Sequence, residues 1–520
     1  MTPKVLIFTD ISQVAWSRAA GPYRIATELR KNNYETIVVE HFLWASIINP
    51  QYIYDTIDRF VTDETLAVGF SMTLFQKKYF DPAVKFIKKV NPSVNDQFLS
   101  EMDKTVYSIP LQDEYLNNIK ERILKKNPKT KLVLGGASKN FVDITNSIFD
   151  TYILGFADVS FINYIKYIDG KNPFFQSRKT LNGKIIVDND VNATGFSVDN
   201  AYIDWKKEDI MFENERVPIE ISRGCIFKCK FCGFALNGKN KNDYIKSKHV
   251  LHQEFTKNYD NYGITNYWFT DDTYNDNIVK MKDIHSITQS LPFDIRFRAY
   301  LRLDLLHKHR DTIDIVTESG LDFAMFGIET LNYENAKLIG KGIRPEKVFS
   351  TLEYLWKNKG WKDNVYVMAM IMLGLPHDRP DNIGWIEDMR TDKFYVDQIS
   401  FNPLYISTGS ADSAKSQFDR EYKKYGYHFE EGASVWDWKN ENFTFSEVSN
   451  IVNKFNATNP KNVTGAIQEN YTALTKKEIY AIASSIYPFD QPSEKWKTQK
   501  YLYIERVKIM DIYFKRLLNL

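Results

Sequence analysis

The chain has 520 residues, of which 43% are hydrophobic and 15% aromatic, which is enough apolar surface for about three packed domains and excludes a wholly disordered protein. The 68 basic and 66 acidic residues nearly cancel, so no global field for binding nucleic acid is expected. The longest apolar runs are far shorter than a membrane span needs, and the N-terminal run, Val5 to Phe8, is too short for a signal peptide. Clustered cysteines without a disulfide pattern are typical of a reducing interior, so we expect a cytoplasmic protein.

Residues 1–170 alternate apolar runs with helical segments. Such alternation predicts an α/β domain with a doubly wound parallel sheet. The predicted strands are 4–10, 35–40, 66–71, 131–136 and 151–155. Ligands of such sheets bind beyond the carboxyl ends of the strands, where Asp10, Ser71, Gly135 and Gly136 fall.

Residues 171–216 lack sustained periodicity and are predicted to be a linker with a hairpin near 183–187. From 217 to 408 the strand–helix pattern restarts. Six predicted strands cover 217–222, 264–270, 293–302, 323–329, 365–373 and 398–402. Each ends in polar residues or glycine, as in a parallel barrel whose chemistry lies at the carboxyl ends of its strands.

Residues 409–520 are rich in Trp, Tyr, Lys and Asn, and their pattern indicates a helical C-terminal domain. A capping box from Thr475 to Glu478 opens one helix, and an apolar stripe marks the last one. We expect a helical cap on the open side of the barrel; a dimer or partner surface is the alternative.

All three cysteines follow the first barrel strand, as Cys225-x3-Cys229-x2-Cys232. Thiolates suit iron–sulfur clusters and zinc, and a complete protein site of either kind usually has four ligands. Three cysteines without a fourth therefore suggest a metal site that a non-protein ligand completes. The alternatives are buried small hydrophobic residues, or a Cys3His zinc site that recruits His249 or His252.

This spacing, with Phe231 before the last cysteine and Gly233 after it, resembles the radical S-adenosylmethionine (radical SAM) superfamily. The six strands fit the partial (β/α)6 barrel of that superfamily. The resemblance implies that Cys225, Cys229 and Cys232 hold a 4Fe-4S cluster whose fourth iron is chelated by S-adenosylmethionine. It further implies reductive cleavage of that cofactor to a 5'-deoxyadenosyl radical, with electrons from a donor such as flavodoxin or ferredoxin.

The resemblance also assigns cofactor contacts. Asp271 and Asp272 stand where the superfamily has a glycine–glycine–glutamate motif that receives the methionine amino group. Glu329, in a Gly-Ile-Glu-Thr run, matches a fourth-strand motif that contacts the ribose and methionine end. Arg302 is expected to pair with the cofactor carboxylate. The expected contacts to adenine are Ile371, Leu373 and Gly374.

Other polar residues near these strands are open to two interpretations. Asn402 and Tyr405 follow the sixth strand and either contact substrate or pack. Asp271, Asp272 and Arg302 would otherwise form structural ion pairs. A basic fringe around the cysteines is either a solvated surface or a docking site for an acidic electron donor or an anionic substrate; it comprises Lys228, Lys230, Lys239 and Lys241.

The N-terminal domain resembles the cobalamin-binding domain that precedes many radical SAM cores. It departs from that pattern after the first strand, where Asp-x-His-x-x-Gly is replaced by a run from Asp10 to Ala15 without His or Gly. His41 is not at the ligand position. Cobalamin is therefore a candidate cofactor, and the cobalamin-binding-like fold is the firmer prediction.

The chain has no cysteine beyond these three, and this excludes several classes of radical SAM reaction. Methylthiotransferases and enzymes with auxiliary clusters need further cysteines, and RNA methylating enzymes with a methylcysteine intermediate need a spare one. Two reaction classes remain: cobalamin-dependent methylation of an unactivated carbon, or cobalamin-independent hydrogen abstraction leading to cyclisation, rearrangement or oxidation. A cluster-free binding protein and a zinc interaction module are the non-enzymatic alternatives. The substrate does not follow from the sequence.

Overall fold

The chain folds into two compact units. The first contains residues 1–195, 201–215 and 496–520, and the second contains residues 196–200 and 216–495. The computed structural model describes residues 4–9, 18–42, 45–46, 49–71, 109–136, 148–172, 178–181, 183–188, 197–210, 212, 215–233, 243–406, 415–430, 437–470, 473–486 and 495–519. Asp10, Lys239 and Lys241 lie outside the described residues.

The first unit is built on a seven-stranded sheet in the order β2-β1-β3-β4-β5-β7-β6. Its strands are β1 (Val5–Phe8), β2 (Thr36–Val39), β3 (Ala67–Ser71), β4 (Lys131–Gly136), β5 (Thr151–Leu154), β6 (Arg178–Leu181) and β7 (Lys184–Asp188). Every neighbouring pair is parallel except the β6–β7 hairpin. β1, β2 and β5 are buried along their whole length, as expected of strands covered on both faces.

Helices connect these strands: α1 (Ala20–Lys31), α2 (Gln51–Phe60), α3 (Ile109–Lys126) and α4 (Ser160–Ile168). The strand order reverses between β1 and β3, which is the topological switch point where doubly wound sheets bind ligands. The predicted doubly wound sheet is confirmed, and the hairpin expected near 183–187 extends it through β7.

The second unit is built on six parallel strands in the sequential order β8 to β13. They are β8 (Val217–Ile219), β9 (Asn266–Phe269), β10 (Arg296–Leu301), β11 (Leu321–Glu329), β12 (Tyr366–Leu373) and β13 (Gln398–Pro403). The prediction of six barrel strands is confirmed. Because all six run the same way, their carboxyl ends meet at one rim.

Helices follow or precede the strands of this barrel: α5 (Lys248–Tyr262), α6 (Ile278–Ser290), α7 (Leu303–Lys308), α8 (Thr312–Glu318), α9 (Tyr333–Ile339), α10 (Pro345–Asn358), α11 (Trp361–Asn364) and α12 (Trp385–Asp388). After β13 come α13 (Gln417–Glu421), the hairpin β14 (His428–Phe429) and β15 (Trp438–Lys439), then α14 (Phe445–Thr458), α15 (Asn462–Asn470) and α16 (Lys476–Ile486). α14 packs on β13, where the Asn456 amide donates to the carbonyl of Phe401 at 2.8 Å.

The last helix, α17 (Lys495–Leu518), joins the first unit from Trp496 onward. The N–H of Glu40, just after β2, donates to the Tyr513 hydroxyl at 2.8 Å. The ring of Phe514 stacks on that of Tyr52 with centroids 4.8 Å apart. An edge strand exposes unpaired backbone groups, and α17 packs beside the edge strand β2. The sequence pattern predicted this helix as part of a single helical C-terminal domain over residues 409–520.

The turn after β12 depends on one glycine. Gly374 has φ +97°, and a Cβ at this position would lie 2.7 Å from a ring carbon of the buried Trp438. Its carbonyl accepts a hydrogen bond from the Tyr427 hydroxyl at 2.6 Å. The turn is closed by Asp378, whose Oδ2 accepts from the N–H groups of Gly374 at 3.0 Å and Leu375 at 2.9 Å.

We expect Gly374→Ala to lower the free energy of unfolding by about 3 kcal/mol, because left-handed strain and overpacking add. Gly263→Ala is the matched control, since Gly263 has φ +64° but nothing within 4 Å of the added Cβ. It should lose only the strain, about 1 kcal/mol. Urea unfolding of both variants measures the difference; equal losses would show that Trp438 accommodates the methyl group.

No helix among the described residues has the length and apolarity to cross a membrane.

Candidate active site

The three cysteines lie on the loop that leaves β8 at the carboxyl rim of the barrel. Cys225 is buried, and Cys229 and Cys232 are half-buried. The N–H of Cys232 donates to the carbonyl of Cys229 at 3.0 Å, which closes a turn and keeps these two cysteines together. The Cys225 thiol lies 3.4 Å from the Thr273 hydroxyl, and burial raises the pKa of this thiol. Among the described residues, no three His, Cys, Asp or Glu side chains are placed around a single ion.

Arg302 holds the cysteine loop against the end of β10. Its Nη1 lies 3.5 Å from Cys229 Sγ, and its guanidinium is 4.0 Å from the centroid of the Phe227 ring. Its Nε and Nη2 bind the two carboxylate oxygens of Asp304 at 3.0 and 2.7 Å. Nη2 also donates to the carbonyl of Gly340 at 3.1 Å. The predicted contact to a cofactor carboxylate stays a prediction, since every nitrogen of this guanidinium already has a protein partner.

Both carboxylate oxygens of Asp271, just after β9, have hydrogen-bond partners within the protein. Its Oδ1 accepts from the N–H groups of Ile221 and Ser222, both at 3.0 Å. Its Oδ2 accepts from the Ser222 hydroxyl at 2.6 Å and lies 3.0 Å from Nζ of Lys280. Lys280 is buried, which disfavours its charge, but Asp271 and Asp276 outweigh that cost and raise its pKa. This network fixes the end of β8, and with it the start of the cysteine loop.

Asp272 is the carboxylate that remains available. It is half-buried, and the N–H of Gly224, the residue before Cys225, favours its charged form. Burial and the negative charges of Asp271 and Glu220 raise the pKa of Asp272 to about 7. A cation placed beside this carboxylate would favour its charged form and lower its pKa.

Glu329 ends β11 in a strained conformation. A bulge shifts the β11–β12 register between Gly327 and Glu329, and Glu329 has φ +72°. This conformation is rare for a residue with a side chain and is concentrated at functional sites. It folds the carboxylate back over Gly327, where an added Cβ would lie 2.5 Å from Oε1. Burial raises the pKa of Glu329, although Lys341, 3.5 Å away, opposes the rise.

Aromatic rings and thioethers line the inner face of the barrel. Arg298, on the inner face of β10, lies with its guanidinium 4.6 Å from the Phe323 ring centroid and 4.9 Å from that of Trp268. One step toward the rim, Tyr300 is in register with Met325, and Met325 with Met368. On β12 the half-buried residues on this face are Met368, Met370 and Met372. The alternation of methionine along β12 is the sequence signal that could have predicted this face.

Ile371 and Leu373 are buried on the opposite face of β12. Ile371 is in register with Phe401, whose ring packs against Phe455 of α14 at 5.1 Å. Contacts of these two side chains with adenine therefore stay predictions, as does a contact from Gly374. Beyond β13, Asn402 and Tyr405 are exposed, and the Tyr405 ring lies 5.7 Å from that of Phe445.

In the first unit, Ser71, Gly135 and Gly136 end β3 and β4 as predicted, at neighbouring positions. They are half-buried and small, so the carboxyl edge of the sheet is not filled by their side chains. His41, the one histidine among residues 1–215, is buried with φ +64°, and its ring meets Tyr513 edge-on at 5.0 Å.

Residues 219–384 match the model of the Radical SAM superfamily. This match runs from the last residue of β8 through β12 and includes all three cysteines, Asp271, Asp272, Arg302 and Glu329. The second unit therefore contains a radical SAM domain, which indicates a radical SAM enzyme. Enzymes of this class use a 4Fe-4S cluster and S-adenosylmethionine and receive electrons from a donor. A search of curated proteins finds no match to the sequence.

Solved structures with similar folds span nearly the whole chain. One is the radical S-adenosylmethionine methyltransferase TsrM from Kitasatospora setae with tryptophan substrate and an S-adenosylmethionine analogue, with a TM-score of 0.60, 11% identity and coverage of 97% of this chain and 99% of that one. Another is the cobalamin-dependent S-adenosylmethionine radical enzyme OxsB with aqua-cobalamin, with a TM-score of 0.58, 12% identity and coverage of 100% and 80%. At these identities the likeness shows the fold, and the first unit accordingly has a cobalamin-binding-like fold.

Proposed function

We propose that this enzyme cleaves S-adenosylmethionine reductively at a 4Fe-4S cluster held by Cys225, Cys229 and Cys232, and that it uses cobalamin to methylate an unactivated carbon. The observation that carries the first step is the set of three thiols on one loop at the carboxyl rim of the six-stranded barrel. When bound, the cluster and S-adenosylmethionine supply the one-electron chemistry that yields a 5'-deoxyadenosyl radical.

The donor set fits a cluster with one non-protein ligand. The three cysteines are spaced along one loop, and a cluster needs each thiolate on a separate iron. Arg302, 3.5 Å from Cys229 Sγ, places a positive charge beside a site that carries several thiolates. Loading requires deprotonated thiols, so the buried Cys225, with its raised pKa, releases its proton when metal binds.

The two neighbouring aspartates have different proposed roles. Asp272 would accept from the amino group of S-adenosylmethionine, because its carboxylate is partly exposed next to the cysteine loop. Asp271 would be a positioning residue, since its oxygens already bind Lys280 and the backbone N–H groups of Ile221 and Ser222, just after β8. Arg302 would likewise position the loop. The buried carboxylate of Glu329 would bind donors at the ribose and methionine end.

Cobalamin on the first unit is supported by the strand order and by the small residues at its carboxyl edge. The switch point lies between β1 and β3, and Ser71 ends β3 beside it. The printed description of OxsB names bound aqua-cobalamin. Because His41 is buried against Tyr513, cobalamin would bind here without an imidazole ligand to cobalt.

Anaerobic reconstitution with iron and sulfide, followed by addition of cobalamin, tests both parts. We expect four irons per chain, absorption typical of a 4Fe-4S cluster, and retention of cobalamin through gel filtration. A protein that loads the cluster but retains no cobalamin would overturn the methylation proposal and leave hydrogen abstraction, the second candidate, as the reaction.

A further inference from the structure

We propose that the protein surface around the cysteine loop docks a small, acidic electron-transfer protein; this inference rests on the proposed cluster. The surface, called here the basic rim, comprises residues 226–233, 333–346 and 415–427. The three segments are joined by hydrogen bonds. The N–H of Lys230 donates to the carbonyl of Ile339 at 3.3 Å, and the N–H of Phe418 donates to the carbonyl of Lys230 at 3.0 Å.

Positive charge is concentrated on the basic rim. Its basic residues are Lys228, Lys230, Lys337, Arg344, Lys415, Arg420, Lys423 and Lys424, and its acidic residues are Glu334, Glu346, Asp419 and Glu421. Lys341 is left out because its side chain is buried and pairs with Glu329 at 3.5 Å. These few segments carry more net positive charge than the whole chain, whose formal charge is +2. A solvated surface with no partner has no need of such an imbalance, whereas a docking surface for an acidic partner does.

Aromatic rings hold several of these cations in place. Lys230 Nζ lies 5.5 Å and Lys424 Nζ 6.0 Å from the centroid of the Tyr425 ring. Lys337 and Arg344 lie 4.9 and 4.4 Å from the centroid of the Tyr333 ring. Cations that rest on rings lose less conformational freedom when a partner binds, so the charge is partly pre-organised.

The basic rim is also close to the proposed cluster. Lys228 and Lys230 flank Cys229 in the chain, and a Cβ at Gly340 would lie 4.0 Å from the Cα of Cys229. A protein bound to the rim would place its redox centre near the cysteine thiols. Neither a distant surface nor the opposite end of the barrel offers that proximity.

A matched pair of charge reversals tests the docking. The test variant is Lys228→Glu with Lys423→Glu, two exposed residues of the basic rim. The control is Lys362→Glu with Lys393→Glu, two exposed residues near the amino ends of β12 and β13, away from the rim. Both variants undergo the same change in net charge.

The probe is a flavodoxin, titrated anaerobically by calorimetry into cluster-loaded protein at low and at 0.5 M salt. We expect the wild type and the control to bind it equally and to lose affinity in salt, and the test variant to bind at least about tenfold more weakly at low salt. Equal binding by both variants, or binding that salt does not weaken, would overturn the docking surface.

Dithionite reduces a cluster without a docking partner, so it separates the two proposals. The test variant should form 5'-deoxyadenosine normally with dithionite and slowly with reduced flavodoxin. An equal loss with both reductants would overturn the docking proposal and indicate that the rim binds an anionic substrate instead. Iron and sulfide content, measured first, reports on the cluster itself, so failure of the proposed function is recognised before any docking measurement.

Discussion

Replacing Cys229 with alanine is expected to remove the 4Fe-4S cluster and abolish formation of 5'-deoxyadenosine. Cys229 lies between the other two cysteines on a loop whose turn brings its carbonyl to the N–H of Cys232. Two thiolates hold a four-iron cluster too weakly for stable loading. Arg302, which faces Cys229 Sγ, keeps its two bonds to Asp304, so the fold should survive the substitution. Iron content, visible absorption and product formation with dithionite measure the outcome, and circular dichroism checks the fold.

The matched controls are His249→Ala and His252→Ala, on the helix α5 that follows the cysteine loop. Both should load iron fully, because neither histidine belongs to the proposed site. Loss of metal in either variant, together with zinc in the purified wild type, would establish a Cys3His zinc site in place of the cluster. Product formation by Cys229→Ala would contradict the assignment of the cysteines.

The two sheets were predictable because parallel strands buried on both faces read as apolar runs, and the ends of such runs are marked by polar residues or glycine. For that reason the cysteine loop, Asp272, Arg302 and Glu329 were all expected at one rim. The roles within an adjacent pair were not predictable. Asp271 and Asp272 lie next to each other in the chain, and only Asp271 accepts hydrogen bonds from Ile221 and Ser222, just after β8.

Three further features depend on contacts that no local pattern contains. The left-handed conformation of Glu329 follows from a bulge against β12, and glutamate has no preference for such a conformation. Asp304 forms an ion pair with Arg302, two residues earlier, and this pair depends on the turn into α7. The apolar residues on one face of α17 predicted that this face is buried, but not what it packs against. It packs beside β2, more than 450 residues earlier in the chain.

Asp272→Asn is expected to weaken binding of S-adenosylmethionine to the cluster-loaded, unreduced protein by about 10- to 100-fold above pH 8. The lost contact is a hydrogen bond to a charged carboxylate, which contributes about 1.5–3 kcal/mol. Asn keeps the size of the side chain and one acceptor oxygen, so the loop should stay in place. Calorimetric titration under anaerobic conditions measures both dissociation constants.

The advantage of the wild type over Asp272→Asn should disappear as the pH falls. The pKa of Asp272 is raised to about 7, so below that pH the carboxyl group is increasingly protonated and cannot accept from an amino group. The ratio of the two dissociation constants should therefore shrink by about tenfold per pH unit below 7, until the advantage is gone. The α-amino group of the ligand titrates in both proteins, so taking the ratio removes its contribution.

Glu220→Gln provides the electrostatic control for this titration. Glu220 is one of the negative charges that raise the pKa of Asp272, and its own partner Arg223 lies 2.7 Å away. Removing its charge should move the midpoint of the pH profile to lower pH while leaving the affinity above pH 8 nearly unchanged. A ratio that does not vary with pH, or an Asn variant that binds as tightly as the wild type, would assign the amino group to another acceptor, and the buried carboxylate of Glu329 would be the next residue to test.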